Sequence, residues 1–237
     1  VPFLANNKQQ LVDALTAITE SIKASVFHGS SPAPTTSVDL GDTVLVAKFD
    51  ASNWSGDLQA VTKAADGDWD NVVWTASEQI PVSRKVFTIS PSTGAVVAYT
   101  DALLTGDNYL CKDIGDIIHS TPVVVGTPPF YYTFNSYASW KSSVSRDTMV
   151  YIGANDGSLH AFKLATGEEK WAFVPKNLQA KLMLATDPTY DMCNAAYCHQ
   201  YFVDGSPHVA DIYDTSASTW KTILIVGERE GGEAYFA

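Results

Sequence analysis

The chain has 237 residues, with 15 Lys and Arg against 26 Asp and Glu, and a formal net charge of −11 at pH 7. Its 46% hydrophobic and 17% charged residues are typical of a folded globular protein, and its length allows one large domain or one domain with part of another. The acidic balance, without clustered Lys and Arg, argues against nucleic acid as a partner. No aliphatic run approaches the roughly 20 residues of a membrane-spanning helix.

The N-terminal part is predicted to form one helix over residues 7–23, because apolar side chains recur there at spacings of 4, 3 and 4. Residues 30–36, rich in Ser, Pro and Thr, then predict a short linker. The chain starts at Val1-Pro2 and stops inside the apolar segment 234–237, so we expect a piece of a longer protein. Its signal peptide is expected to be absent or already removed.

Beyond the linker the apolar residues alternate with a period of two, which predicts strands. The predicted strands are 43–50, 56–61, 72–74, 86–89, 96–99, 122–125, 149–153, 159–164, 170–174 and 222–227. The strands at 86–89 and 96–99 are expected to pair across the turn at 91–94. Many short strands separated by turn residues predict an all-β domain, either a sandwich or a propeller.

A repeated order of segments favours the propeller. In each series a Pro-led strand is followed by a strand ending in Gly and then by a strand with a small residue and an aromatic one. The first series holds Pro122, Gly153 and residues 160–162, and the second holds Pro207, Gly227 and residues 234–236. Successive propeller blades would give this repeat.

Residues 155–171 predict two tight turns, at Asp156-Gly157 and at Thr166-Gly167, before a strand that carries Trp171. A strand, a Thr-Gly turn and a Trp-bearing strand resemble the repeat of quinoprotein-type propellers. We expect Trp171 to fill a blade interface.

Four motifs in a fixed order are more specific. They are Asn-Trp-Ser-Gly-Asp-Leu at 53–58, Gly-Asp-Ile-Ile-His-Ser-Thr-Pro at 115–122, Tyr-Ile-Gly-Ala-Asn-Asp-Gly-Ser-Leu-His-Ala-Phe at 151–162 and Tyr-Phe-Val-Asp-Gly-Ser-Pro at 201–207. Together they resemble the C-terminal propeller of the PilC/PilY family, the large type IV pilus tip adhesins and assembly factors. The resemblance implies an incomplete, quinoprotein-like β-propeller over residues 38–237, a linker at 29–37, and at 1–28 the last helix of an upstream von Willebrand A-like domain.

The same resemblance implies a non-enzymatic function in fimbrium biogenesis and cell adhesion. The protein would be exported to the pilus tip, the cell surface or the outer membrane. Its partners would be minor or major pilins and a host cell or abiotic surface. The family binds calcium in an aspartate-rich loop late in the propeller, which has no counterpart in these 237 residues, so no cofactor is expected within them.

Three cysteines form an odd set, Cys111, Cys193 and Cys198. A local disulfide between Cys193 and Cys198 is the favoured interpretation, against free thiols or a zinc site that would add His199 and His208. Residues 66–71 (Asp-Gly-Asp-Trp-Asp-Asn) hold alternating carboxylates but lack the Gly and the closing Glu of a calcium loop, which favours a solvated turn.

No nucleophile elbow, dinucleotide-binding or phosphate-binding Gly-rich motif or zinc-protease motif occurs, so no catalytic residues are assigned. His119, His160 and His208 are interpreted as strand-end hydrogen-bonding residues. A quinoprotein-type dehydrogenase and a structural subunit of a surface filament remain as alternative functions.

Two long loops, 128–147 and 178–200, are predicted between the strands, and long loops on a β scaffold commonly carry binding function. The first holds five aromatic residues with Ser and Asn interleaved, a composition suited to adaptable contact surfaces. A partner-contact loop and a self-packed loop are both open interpretations. The five residues are Tyr131, Tyr132, Phe134, Tyr137 and Trp140.

Overall fold

The computed structural model describes residues 43–50, 54–64, 71–99, 114–128, 130–185 and 199–237, with position 9 and the pairs 28–29 and 33–34. The predicted helix at 7–23 lies outside the described residues apart from position 9. The three cysteines and the turn at 66–70 also lie outside them. In the part of the chain that is described, no helix has the length and apolarity needed to cross a membrane.

Short strands dominate the described residues. They are β1 (His28–Gly29), β2 (Ala33–Pro34), β3 (Thr43–Asp50), β4 (Ser55–Thr62), β5 (Asn71–Thr75), β6 (Val86–Ile89), β7 (Val96–Ala98), β8 (Ile114–Gly115), β9 (Val123–Val125), β10 (Met149–Gly153), β11 (Leu159–Lys163), β12 (Glu169–Phe173), β13 (His208–Asp214), β14 (Thr219–Gly227) and β15 (Tyr235–Phe236). The described helices are α1 (Asn135–Ser143) and α2 (Gln179–Ala185), with 3₁₀ turns at Ala76–Gln79, Lys176–Leu178 and Arg229–Gly231.

The strands form three sheets. The first has the order β1-β3-β4-β5, with β2 also paired to β3 and β8 to β4. The second has the order β7-β6-β12-β11-β10-β9, in which β9 to β12 form an antiparallel meander and β6 joins β12 in parallel. The third has the order β13-β14-β15. This arrangement confirms the all-β prediction and the expected pairing of β6 with β7.

The predicted loops at 128–147 and 178–200 were wrong in one respect, because each contains a helix. α1 lies within the first loop and α2 at the start of the second. The apolar pattern of α1 is weak, since its face is set by two aromatic residues, Tyr137 and Trp140, spaced three apart. A helix held by so few apolar positions gives little periodic signal in the sequence.

The repeat seen in the sequence corresponds to equivalent strands. Val123 of β9 pairs with Tyr151 of β10, and at the equivalent place His208 of β13 pairs with Ile225 of β14. In the third strand of each series, Leu159 pairs with Gly153 and Tyr235 pairs with Gly227, so Leu159 and Tyr235 are equivalent. The connection after β14 is two residues longer than the one after β10. The second and third sheets are therefore successive blades.

Two apolar cores join the sheets face to face. The first includes Leu58, Trp74 and Phe162, and the Trp74 indole Nε1 donates a 2.8 Å hydrogen bond to the Leu164 carbonyl. The second includes Val203 and Val226 and packs against the half-buried aromatic residues Tyr151, Trp171, Phe173 and Phe236. Burial of these side chains is the main force that holds neighbouring blades together. Trp171 occupies the blade interface, as expected.

Backbone segments approach each other closely at three glycines that lie near the ends of strands. A Cβ on Gly153 would lie closer than 3.0 Å to the carbonyl oxygen of Val203, and one on Gly115 equally close to the backbone nitrogen of Asp156. A Cβ on Gly56 would likewise lie closer than 3.0 Å to the carbonyl oxygen of Gly115. All four sequence motifs meet along this line of backbone contacts.

The third sheet leaves one face exposed. Ile212, Ile225 and Tyr235 are exposed there. Tyr151, the residue equivalent to Ile225 in the second sheet, instead packs into the core shared with the third sheet. The exposed face is thus the one that a neighbouring blade covers in the second sheet, as expected for an incomplete propeller.

Candidate binding surface

The β9–β10 connection is the main elaboration of the described blades. It runs from residue 126 to residue 148, whereas the equivalent β13–β14 connection has only residues 215–218. After Phe134, whose carbonyl accepts hydrogen bonds from the backbone nitrogens of Tyr137 and Ala138, the connection turns into α1. α1 then lies against β14 of the next blade.

The aromatic residues of this connection form one cluster with the next blade, which we name the aromatic shelf. The Tyr132 ring stacks on Trp220 with centroids 5.5 Å apart, and the Tyr137 ring meets Trp220 edge-on at 4.9 Å. Tyr213 contacts Trp220 from β13. The aromatic shelf consists of Tyr131, Tyr132, Phe134, Tyr137, Trp140, Tyr213 and Trp220.

A buried polar contact fixes the aromatic shelf to β13. The Tyr137 hydroxyl donates a 2.6 Å hydrogen bond to Asp211 Oδ2, while Asp211 Oδ1 accepts a 2.7 Å bond from the Thr222 hydroxyl. Burial and the Asp211 carboxylate raise the pKa of Tyr137 well above its usual range, so the hydroxyl stays protonated and donates. Both carboxylate oxygens of Asp211 therefore have partners.

The five predicted contact residues divide by exposure. Tyr137 is 1% exposed and Trp140 is half-buried, whereas Tyr131 is 91% and Phe134 61% exposed, and Tyr132 is also exposed. The connection is thus packed at its base and open at its rim. Trp220 and Tyr213 were not predicted as contact residues from the sequence, although they form a cross-strand aromatic pair on β14 and β13.

Replacing Tyr137 with Phe should lower the free energy of unfolding by about 1–3 kcal/mol, because the buried Oδ2 atom of Asp211 would lose its hydrogen-bond donor. Urea denaturation measures this. Tyr131→Phe, on an exposed ring, should change the free energy of unfolding by less than about 0.5 kcal/mol. Equal stability of the two variants would contradict the anchoring role of Tyr137.

A polar network lies at the ends of the blade strands that are opposite to the aromatic shelf, before β9 and β13 begin. His119 Nδ1 lies 2.7 Å from Asp204 Oδ2, and His199 Nε2 lies 2.9 Å from Asp116 Oδ1. Asn155 donates a 2.7 Å hydrogen bond to Asp116 Oδ2. This network holds polar residues from three of the four motifs. Trp54 of the remaining motif, at 53–58, stacks on His199 with ring centroids 3.8 Å apart.

The Asp204 carboxyl can exchange a proton near neutral pH. Its burial, with the nearby carboxylates of Asp116 and Glu230, raises its pKa to about 7. His119, which remains partly exposed, connects it to solvent. Among the described residues, no three His, Cys, Asp or Glu side chains converge closely enough to hold a metal ion.

His160 was wrongly interpreted as a strand-end residue, because it lies inside β11 and is fully buried. Its Nδ1 lies 2.7 Å from Glu169 Oε1 and its Nε2 3.0 Å from Asp156 Oδ2. Arg84 donates two 2.7 Å hydrogen bonds to Glu169. Two cations thus balance two carboxylates in the core, where each charge depends on its partners.

The pKa values of this buried group follow from its pairing. Burial by itself would lower the pKa of His160, but Asp156 and Glu169 outweigh it and raise the value to about 9. Burial would likewise raise the pKa of Glu169, but His160 and Arg84 outweigh it and lower the value to about 2. At neutral pH both groups are charged, so the cluster is a structural ion network.

Comparison with known proteins identifies the family. The family model of the PilY1 beta-propeller domain matches residues 114–237, just over half of the chain. The chain belongs to the PilY1 family. The matched PilY1 propeller region runs from β8 to β15 and includes the aromatic shelf and, of the ion network, Asp156, His160 and Glu169 but not Arg84.

The curated relatives agree with this assignment. A type IV pilus biogenesis factor PilY1 homolog of Xylella fastidiosa is 32% identical over 99% of this chain and 22% of its own length. The type IV pilus biogenesis factor PilY1 of Pseudomonas aeruginosa (strain UCBPP-PA14) is 28% identical over 99% of this chain and 25% of its own length. This chain therefore spans about a quarter of the PilY1 proteins it matches. No solved structure matches it significantly.

Proposed function

We propose that this chain is the part of a type IV pilus biogenesis factor in which the propeller begins, and that it works as a non-enzymatic platform for contacts with pilins and external surfaces. The proposal is carried by the PilY1 propeller match over residues 114–237. Relatives that align with 99% of the chain are named as pilus biogenesis factors, not as dehydrogenases. The protein would be exported and would act at the pilus tip or cell surface.

The structure supports a platform through its distribution of rigidity and exposure. Two apolar cores and a buried ion network hold the blades, while the elaborated β9–β10 connection presents exposed aromatic rings. Loops positioned by a rigid β scaffold are typical places for binding function. Contact with a pilin or with an outside surface would then involve this connection.

The test is made in the organism that encodes the chain. In-frame removal of residues 43–237 from the full-length gene should abolish or sharply reduce surface pili, counted by electron microscopy and by shear-released pilin. Wild-type complementation should restore them, as should complementation with the exposed Lys170→Gln variant. Normal piliation, twitching and adhesion in the deletion strain would overturn the proposal.

Adhesion is separated from assembly by a second strain. A Tyr131→Ser, Phe134→Ser double variant in the full-length protein changes only exposed rings and should be secreted at the wild-type level. If the aromatic shelf makes pilin contacts, pilus number should fall. If it contacts outside surfaces, pilus number should stay normal while attachment falls. If both remain normal, the aromatic shelf is not the contact surface.

A further inference from the structure

We infer that the aromatic shelf docks a protein segment in which acidic side chains are interspersed with apolar ones. This inference rests on the proposed function in one respect, namely that the propeller is a contact platform. Four properties of the aromatic shelf support it: its origin, its rigidity, its exposed composition and its local charge.

The aromatic shelf is built on a connection that the blade does not need. The equivalent connection of the next blade, at residues 215–218, joins its two strands with four residues, whereas residues 126–148 use twenty-three for the same task. Ordering each additional residue costs about 1–2 kcal/mol of conformational entropy. Part of that cost is offset by packing on Trp220, but Tyr131 and Phe134 remain exposed and contribute little to it.

The connection that carries the exposed rings is anchored before any partner binds. Tyr137 is anchored to Asp211, and the Trp220 indole Nε1 donates a 3.2 Å hydrogen bond to the Ser136 hydroxyl. The Lys141 ammonium donates a 3.0 Å bond to the Phe130 carbonyl. A surface that is already ordered loses less entropy on binding, which favours affinity.

The composition of the rim is that of a protein-binding surface. Aromatic residues are interspersed with Ser and Asn along residues 130–146, and Tyr, Ser and Asn are enriched in the contact loops of antibodies. Aromatic side chains are enriched at the centres of protein interfaces, where they supply most of the binding energy. Tyr131 and Phe134 are the two most exposed of these rings.

Local charge selects the type of partner. Although the whole chain carries 26 acidic residues, residues 117–146 contain none, and this acid-free stretch holds Lys141 and Arg146. The Lys141 ammonium lies 3.9 Å from the centroid of the Tyr131 ring, at the rim. On the facing strands, Asp211 is buried with both oxygens bonded, and Asp214 is paired with Lys221. The accessible charge is therefore positive, and an acidic segment complements it.

The experiment uses the 237-residue chain as an immobilised target and a phage-displayed library of random dodecapeptides as the probe. The selection is run on the wild-type chain and on the Tyr131→Ser, Phe134→Ser variant. We expect the wild-type chain to select peptides richer in Asp, Glu and apolar residues than the starting library. The double variant should lose this selection.

Affinities of the selected peptides then test the roles of single residues. The double variant should bind at least about 10-fold more weakly, as expected when two interface aromatics are removed. Lys141→Gln should weaken binding about 3-fold or more and reduce its sensitivity to salt. Two matched controls, Tyr235→Ser on the exposed face of the third sheet and Lys170→Gln on β12, should bind like the wild type.

Each other result overturns the inference. Selection of neutral or basic peptides, or of none, would exclude an acidic segment as the partner. Equal peptide binding by the wild type and the double variant would show that the binding site lies outside the aromatic shelf. Binding of polygalacturonate that depends on Tyr131 and Phe134, without peptide selection, would assign the aromatic shelf to a sugar acid. Because binding is measured on the isolated chain and piliation in cells, either proposal can fail while the other holds.

Discussion

Replacing Glu169 with Gln should lower the free energy of unfolding by about 3–5 kcal/mol, one of the two largest effects expected for this protein. The side chain is fully buried and pairs with both Arg84 and His160. Gln keeps the shape but removes the negative charge, so two buried cations would face Asp156 alone. Urea or guanidinium denaturation of the purified chain measures the loss.

Glu168→Gln is the matched control, since Glu168 is the adjacent residue and forms an exposed ion pair with Lys170. Its effect should be below about 1 kcal/mol. If the two variants unfold at the same denaturant concentration, the ion network does not stabilise the core.

The pH dependence provides a second measurement of the same network. Because the pKa of His160 is raised from 6.5 to about 9 by folding, the folded state holds its proton more tightly than the unfolded state. The resulting stabilisation is complete below pH 6.5, decreases as the pH rises and is lost above about pH 9. In Glu169→Gln, which lacks one carboxylate partner, the folded-state pKa of His160 should rise less, so this decrease should be smaller and should end at lower pH.

Replacing Gly153 with Ala should cost about 3 kcal/mol or more, because the added methyl group would overlap the backbone carbonyl of Val203 in the next blade. Backbone atoms of two packed sheets cannot move aside as a flexible side chain can. The blades would have to separate along the line of glycine contacts. Thermal and urea denaturation should both show the loss.

Gly94→Ala distinguishes this overlap from backbone strain. Gly94 has φ +69° and nothing within 4 Å of an added Cβ, so its replacement should cost only about 1–2 kcal/mol, for the left-handed conformation. Gly153 needs no such conformation, so any loss there reports crowding between blades. A Gly153→Ala variant as stable as the wild type would show that the second and third sheets are not closely packed at this point.

Much of the binding surface was predictable in kind but not in arrangement. The aromatic composition of residues 128–147 and their interruption of the blade pattern are enough to suggest a loop suited to contacts. Which rings are buried was not predictable, because the burial of Tyr137 depends on Trp220, a residue 83 positions away in the chain. The Tyr137–Asp211 hydrogen bond was not predictable for the same reason, because these two residues are 74 positions apart in the chain.

The sequence by itself determined the local structure of this protein: period-two alternation identified most strands, Gly157 and Gly167 marked turns of positive φ, and the ordered motifs indicated the PilC/PilY-type propeller. These features depend on residues that are neighbours in the chain, so they leave a local pattern. Only the tertiary structure decided that the four motifs meet along the glycine contacts and that His160 carries a buried charge. Both depend on side chains and backbone brought together from distant segments, and such pairings leave no periodic signal in the sequence.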